Sequence, residues 1–154
     1  MADIIEILFE NIEFDALPEF LRIIEEDSCL VRSQISVGNN QSKETISNLP
    51  NLIENLGICN GGAVYLNYAN FKISGILLPE VGMQILKYNG CVDLSIDIEY
   101  NYFQKIKSLI SLREWVEIKS NQLFAINYCC GYEPASDFDT SFFTKNKLGP
   151  LIFK

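Results

Sequence analysis

The stretch Cys91-Val92-Asp93-Leu94-Ser95-Ile96-Asp97-Ile98-Glu99-Tyr100 alternates apolar and polar residues along its length. Because successive side chains of a strand point to opposite faces, this alternation predicts a strand with one face in the core and the other in solvent. Strands of this kind are typical of antiparallel sheets, whereas parallel strands are usually apolar throughout. The stretch therefore favours a largely antiparallel or mixed sheet.

The N-terminal part of the chain carries strand and helix patterns in turn. Ile4 to Phe9 is apolar except at Glu6, which predicts a central strand buried on both faces. Asp15 offers an N-cap to a helix over residues 16 to 27. The apolar side chains of this helix recur at helical spacing: Leu17, Phe20, Leu21 and Ile24. Leu30 to Val37 then predicts a second strand.

The middle of the chain contains two further helix patterns. After a polar loop from Gly38 to Lys43, Leu49 to Leu56 predicts a helix with Gly57 as its C-cap. Pro79 and Glu80 open a second helical pattern, which runs through Leu86 and closes at Asn89-Gly90.

Two hairpins are predicted as well. Ala63 to Asn67 pairs with Phe71 to Leu77 around Ala69-Asn70. A helical pattern then runs from Phe103 to Arg113. The second predicted hairpin turns at Ser120-Asn121 and pairs Trp115 to Ile118 with Gln122 to Cys129. The alternative is that Trp115 to Lys119 extends the preceding helix.

Residues 1 to 154 are therefore expected to form a single α+β domain, a largely antiparallel or mixed sheet with about four helices.

Acidic residues are concentrated at the N-terminus. The first 27 residues contain nine acids and one base, Arg22, whereas the remaining residues carry eleven of each, so the chain's net charge of −8 resides in this segment. Glu25, Glu26 and Asp27 end the predicted helix, where the helix dipole disfavours anions by about 0.3–1 kcal/mol each. They are either tolerated as exposed charges or kept as an acidic patch for a basic partner.

Several classes of function are excluded by what the sequence lacks. It contains no histidine, which excludes Ser-His-Asp and Cys-His catalysis and His-ligated zinc within this chain. Lys105 and Lys107 are the closest approach to a basic cluster, so nucleic-acid binding is not expected. The sequence therefore predicts no catalytic residue, no bound metal and no cofactor, and it indicates no particular oligomeric state.

Neither a secretory signal nor an apolar stretch of about 18 residues is visible, so we expect a cytoplasmic protein that makes no membrane contact. The cysteines are odd in number and widely spaced: Cys29, Cys59, Cys91, Cys129 and Cys130. We expect them to be reduced and mostly buried. Cys129 and Cys130 are adjacent on a predicted strand, so they point to opposite faces and are poorly placed to share a metal.

Two groups of residues suggest chemistry or binding. Asp93, Asp97 and Glu99 share one face of their strand and could hold a hard cation or act as general acid and base, although a solvated strand face gives the same pattern. The segment Gly131 to Phe143 mixes aromatic and acidic residues, as a surface for a cationic partner does. Its rings could equally fold the C-terminal segment onto the core, with Asp137 or Asp139 capping a turn.

A resemblance lies in this same C-terminal segment. It is carried by Gly131-Tyr132-Glu133-Pro134-Ala135, Asp137, Thr140, Phe143-Thr144 and Leu148-Gly149-Pro150. These residues resemble a pattern in small bacterial immunity proteins, which are encoded beside polymorphic or contact-dependent toxins. The resemblance implies stoichiometric binding to one cognate toxin. An acidic inhibitor suits a basic toxin, a nuclease especially, because charge complementarity speeds association.

The leading hypothesis is therefore a non-enzymatic immunity protein that binds and neutralises a cognate, basic protein toxin. Its predicted partner-binding residues are Glu19, Glu25, Glu26, Asp27, Tyr132, Glu133, Asp137, Phe138 and Asp139. The alternatives are a small metal-binding enzyme that uses Asp93, Asp97 and Glu99, and a non-catalytic adaptor.

Overall fold

The computed structural model describes residues 3–37, 40–44 and 49–151. These residues form eight strands and four α-helices. In chain order they are β1 (Ile4–Glu10), α1 (Leu17–Asp27), β2 (Cys29–Val37), β3 (Asn40–Glu44), α2 (Leu49–Ile58), β4 (Gly62–Ile73), β5 (Ile76–Tyr88), β6 (Cys91–Glu99), α3 (Tyr100–Phe103), α4 (Leu109–Leu123), β7 (Asn127–Tyr132) and β8 (Ser141–Thr144). Short 3-10 helices cover Phe14–Ala16 and Phe138–Thr140.

The strands form one antiparallel sheet in the order β3-β2-β4-β5-β6-β1-β7-β8. β6 is the alternating stretch, and it lies between β5 and β1, with Ile96 directly opposite both Met83 and Ile7. β1 lies between β6 and β7, so its predicted internal position is confirmed. The predicted fold class, α+β with a largely antiparallel sheet and about four helices, is confirmed as well.

The core lies between one face of this sheet and the helices. The strand side chains on this face include Ile5, Ile7 and Phe9 of β1, Leu94, Ile96 and Ile98 of β6, and Val81, Met83 and Ile85 of β5. α1 covers them with the side chains that its spacing predicts, Leu17, Phe20, Leu21 and Ile24. The two periodicities, 2 in the strands and 3.6 in the helix, therefore place one continuous apolar layer inside the protein.

Two expectations about the N-terminal segment are wrong. β1 is buried on one face only, since its alternate residues, Glu6 and Leu8 among them, are half-buried. Asp15 does not cap α1, because it lies in the 3-10 turn that precedes the helix. Ala16 occupies the N-cap position without a side-chain hydrogen bond, and Pro18 lies in the first turn.

The hairpin predicted around Ala69-Asn70 and the helix predicted from Pro79 to Leu86 are also wrong. β4 and β5 instead form one long hairpin that turns at Ser74-Gly75. Asn70 adopts a positive φ of 55° within β4, but the register is kept on both sides of it. The local turn and helix signals are overridden because Val81 and its alternate neighbours reach the core at strand spacing.

Asn89-Gly90 is a turn, as predicted, but it joins β5 to β6 and does not end a helix. Its φ values are 47° and 78°, and those of Ser74-Gly75 are 52° and 80°. Positive φ at both central residues is the geometry that matches the twist of two-residue hairpins.

The remaining differences concern element ends. Residues 40–43 belong to β3 and not to a loop, whereas Gly38 lies outside the described residues. α2 continues to Ile58, so Gly57 is not its C-cap. A Cβ at Gly57 would lie only 2.9 Å from the Phe14 ring, which explains a glycine at this place better than capping does.

The C-terminal hairpin across Ser120-Asn121 is wrong, and the alternative, a longer helix, is correct. α4 contains Trp115 to Lys119 and ends at Phe124, which takes the left-handed conformation with a φ of 53°. The helix predicted from Phe103 is divided, since α4 begins afresh at Ser108, whose hydroxyl oxygen accepts a hydrogen bond from Ser111 N.

Two glycines of the sheet provide a matched test of this packing. A Cβ at Gly131 would lie 2.5 Å from the Thr140 carbonyl oxygen and 2.6 Å from Ser141 Cα, whereas a Cβ at Gly82 would meet nothing closer than 3.8 Å. We expect Gly131→Ala to lower the free energy of unfolding by about 2 kcal/mol or more, because backbone must move. Gly82→Ala should raise it by up to about 1 kcal/mol. Urea unfolding measures both, and equal effects would contradict the close approach of residues 140–141 to β7.

Candidate functional site

The second face of the sheet carries the side chains that alternate with the core, and we call it the open face. On the four central strands its members include Tyr65 and Asn67 of β4, Gln84 and Leu86 of β5, Asp93, Ser95 and Asp97 of β6, and Glu6, Leu8 and Glu10 of β1. None of these side chains belongs to the hydrophobic cluster that the described helices join. The helices therefore lie on one side of the sheet, and the open face carries mainly polar and aromatic side chains together with Leu8 and Leu86.

Carboxylates collect on the open face across three strands. Glu6 of β1 lies directly opposite Asp97 of β6, while Glu10 and Asp93 lie toward the other end of the same two strands. Glu133, just after β7, adds its negative charge to Glu6 and Asp97. We call these five residues the acid band. Within the part of the chain that the structure describes, no Lys or Arg forms an ion pair with any of them.

Asp97 is the least satisfied member of the acid band. Its Oδ1 is buried from water and has no hydrogen-bond partner among the described residues. Desolvation, reinforced by the negative charges of Glu6 and Glu133, raises the pKa of Asp97 to about 7. Burial also raises the pKa of Glu6, although the Ala135 backbone N–H donates a 2.9 Å hydrogen bond to its Oε1 and opposes that rise.

Asp93 is satisfied locally. Its Oδ1 accepts a 2.9 Å hydrogen bond from the Asn11 backbone N–H, and its Oδ2 accepts one of 2.8 Å from the Tyr88 hydroxyl. Asp93, Asp97 and Glu99 share one strand face, as predicted, but that face is not fully solvated, since Ser95 between them is buried. Among the described residues, no three His, Cys, Asp or Glu side chains are placed to share a metal ion.

The acidic end of α1 is partly neutralised within the helix. Arg22 Nη2 lies 2.6 Å from Glu19 Oε1, and Arg22 Nη1 lies 2.7 Å from Glu26 Oε1. Glu25 and Asp27 form no ion pair in the described ranges. Burial lowers the pKa of Lys119 on α4, whereas the charges of Asp27 and Glu26 oppose that change, so a cation does lie near the helix end. Two of the four predicted binding acids are therefore engaged with Arg22.

An apolar groove of about 930 Å³ lies between α1 and α2. Its floor and walls are formed mainly by Phe14, Pro18, Leu21, Leu30, Leu49 and Ile53. Glu25, Glu26 and Glu54 lie at its polar margin together with Arg22. The predicted acids of α1 thus border an apolar surface that sequence spacing did not indicate.

The C-terminal loop folds onto the core, as one of the two interpretations of its sequence predicts. Phe142 and Phe143 are buried, and Tyr132 stacks on Tyr100 with 6.1 Å between ring centroids, so the segment does fold onto the core. Asp137 Oδ1 accepts a 3.2 Å hydrogen bond from the Asp139 N–H, which caps the 3-10 turn.

The remaining predicted loop residues lie at the surface: Glu133, Asp137, Phe138 and Asp139 are exposed. Lys147 Nζ lies 4.2 Å from the centroid of the Phe138 ring, so this aromatic side chain is already occupied by a cation of the same chain. Of the loop residues, Glu133 is the one that joins the acid band.

The cysteines are free, and Cys129 and Cys130 lie on opposite faces of β7, as predicted. Cys129 lies opposite Leu8 on the open face, and burial together with the nearby carboxylates raises the pKa of its thiol to about 12. Only these two of the five are buried, so the expectation that most would be buried is wrong.

Comparison with known proteins identifies the family. The family model described as PABL017 Cdi1I immunity protein matches residues 3–148. The chain belongs to this family. The immunity-protein resemblance of the C-terminal segment is therefore confirmed, and it extends over nearly the whole chain. No curated protein gives a significant match.

Two solved structures are similar to the immunity protein. One is a chain of the 1.75 Å crystal structure of the toxic C-terminal tip of CdiA from Pseudomonas aeruginosa in complex with immune protein. The TM-score is 0.82 at 28% sequence identity, and the alignment covers 99% of this chain and 100% of that chain. The other is the Pseudomonas aeruginosa T6SS protein PA0821, with a TM-score of 0.46 and 11% identity over 97% of this chain and 44% of that one. The second similarity is too weak to carry an argument.

No helix among the described residues of the immunity protein is long and apolar enough to cross a membrane. The sequence indicated the acids of α1 and the loop as partner-binding candidates, but it did not indicate that Glu6 and Glu10 lie beside the acids of β6. The alternation of β1 puts Glu6 and Glu10 on one face of the strand. Their neighbours on β6, Asp97 and Asp93, are about ninety residues later in the sequence, and only the strand register brings the two pairs together.

The immunity protein should become more stable when Asp97 is replaced by asparagine. Its pKa is raised from 3.8 to about 7, so the charged form disfavours folding, and stability is lost as pH rises between these two values. We expect Asp97→Asn to unfold like the native protein near pH 4. At pH 8 it should be more stable by about 1–2 kcal/mol, a figure reduced for partial solvent exposure. Urea unfolding at both pH values tests this, and parallel pH profiles for the two proteins would contradict it.

Proposed function

We propose that this immunity protein neutralises a cognate CdiA-type toxin tip by binding it in a one-to-one complex. The observation that carries the proposal is the family match over residues 3–148. The similarity at a TM-score of 0.82 to a chain from a complex of a CdiA tip with immune protein supports it, because it covers both chains almost completely.

The proposed action is inhibition without catalysis, in the cytoplasm, where an immunity protein meets a toxin that has entered the cell. The chain contains no histidine to activate a nucleophile, and its described acids form no metal cluster. The competing hypothesis of a metal enzyme built on Asp93, Asp97 and Glu99 lacks support for the same reason. An excess of acidic residues suits a basic toxin, such as a nuclease, because opposite charges steer association.

We expect the purified protein to bind the toxin tip encoded beside its gene with a one-to-one stoichiometry and to restore growth when both are co-expressed. Isothermal titration calorimetry gives the stoichiometry, and a growth assay gives the protection. The matched control is a toxin tip of a different family, which should not bind. Failure to bind or to protect against the neighbouring toxin would overturn the proposal.

The predicted partner-binding residues divide between two regions of the molecule, and both remain proposals. At the end of α1, Glu25 and Asp27 are free of ion pairs among the described residues, whereas Glu19 and Glu26 are held by Arg22. In the C-terminal loop, Glu133 and its exposed neighbours lie beside the open face.

Charge reversal separates these two regions. If the end of α1 faces the toxin, Glu25→Lys combined with Asp27→Lys should slow association by about tenfold at low salt and flatten its salt dependence. Glu114→Lys combined with Glu117→Lys, two exposed reversals on α4, is the control for the same change in net charge. Stopped-flow association rates measure the effect. An association rate equal to that of the control would exclude the end of α1 from the interface.

A further inference from the structure

We propose that the toxin docks on the open face of the sheet, with its basic side chains against the acid band of Glu6, Glu10, Asp93, Asp97 and Glu133. This inference rests on the proposed function and names the surface that performs it. The partner is a cationic protein surface, and its Lys or Arg side chains supply the charge that the acid band lacks.

The first support is that the described helices leave this face uncovered. The buried apolar side chains of α1, α2 and α4 all join the cluster on the opposite side of the sheet. Along the open face, Tyr65 and Leu86 remain exposed in the middle of the sheet, and so does Tyr88 at the end of β5. Tyrosine on a largely preformed surface is typical of residues that contribute most to binding.

The second support is uncompensated charge. Glu6 and Asp97 are direct cross-strand neighbours, and like charges in such positions destabilise a sheet. No described cation pairs with them, and the Asp97 Oδ1 lacks any hydrogen-bond partner within the described ranges. On the same row of the open face, Arg32 of β2 is separated from Asp97 by the whole width of β5 and β4. A partner's cation above the two strands would relieve the repulsion between Glu6 and Asp97.

The third support is a gap beside Asp97. Its neighbour across β5 is Gly82, and the next residue along that row is Asn67. Because Gly82 has no side chain, its position on the open face is empty, and even an added Cβ would stay 3.8 Å from Asp97 Cβ and 3.9 Å from Asn67 Nδ2. A side chain of the partner can therefore lie over Gly82, beside Asp97.

The apolar groove between α1 and α2 is the competing surface. It lies on the helical side of the protein, and one of its three acids, Glu26, is held by Arg22. The C-terminal loop, in contrast, continues the open face, because the Ala135 N–H binds Glu6 directly. One surface therefore unites the acid band with the loop, and we favour it over the groove.

The test uses the full chain and the toxin tip encoded beside its gene, with binding measured by stopped flow and calorimetry at several salt concentrations. Asp97→Asn combined with Glu10→Gln removes charge, and we expect about a tenfold or greater loss of affinity with a weaker salt dependence. Gly82→Gln fills the gap, and we expect about a tenfold loss with the salt dependence retained. The control for the charge variant is Glu114→Gln combined with Glu117→Gln, and the control for the added side chain is Ser111→Gln, all at exposed positions of α4.

Unfolding midpoints are recorded for every variant, so a loss of affinity is counted only where the fold is retained. If the native protein binds the toxin but all open-face variants bind within about threefold of it, the docking surface is elsewhere and this inference fails while the proposed function stands. A selective loss in Glu25→Lys with Asp27→Lys would place the toxin at the α1–α2 groove. If the native protein itself does not bind, the proposed function fails.

Discussion

The antiparallel pairing of β1 with β6 is the constraint on which the rest of the molecule depends. It joins the N-terminus to a strand about ninety residues later and places Ile7 opposite Ile96 in the core. Because side chains alternate along a strand, the same register places Glu6 opposite Asp97 on the other face. The apolar layer that stabilises the protein and the acidic layer that we propose binds the toxin are two consequences of one alignment.

This alignment has an energetic cost. A half-buried carboxylate next to a second one is an unfavourable arrangement for an isolated sheet, and the raised pKa of Asp97 reflects it. Nothing in the packing of the core requires acids there, since Ser95 occupies the next position of the same face without charge. Residues that lower stability without serving the core are those expected where a protein meets a partner. The end of α1 differs, because Arg22 and Lys119 moderate its charge within the molecule.

The strength of a local pattern decided how well the sequence predicted each element. The predictions of β6 and α1 were correct because the apolar residues of each element keep one period over its whole length. β4 and β5 were not predicted, because Asn70 is typical of a turn and Pro79 of the start of a helix. These local signals are overridden by the long hairpin, in which the two strands pair over their whole length. The acid band could not be predicted, since its members lie on β1, on β6 and directly after β7, and the order of these strands in the sheet is not encoded locally.

Carboxyl-group footprinting by mass spectrometry, with the toxin tip present and absent, is the most direct measurement of where the partner lies. Carbodiimide-activated labelling reports on each Asp and Glu of the native chain without any substitution. We predict that the toxin protects Glu10, Asp93 and Glu133, while Glu25 and Asp27 are labelled as in the free protein. Unchanged labelling across the acid band, with protection confined to the end of α1, would contradict the account.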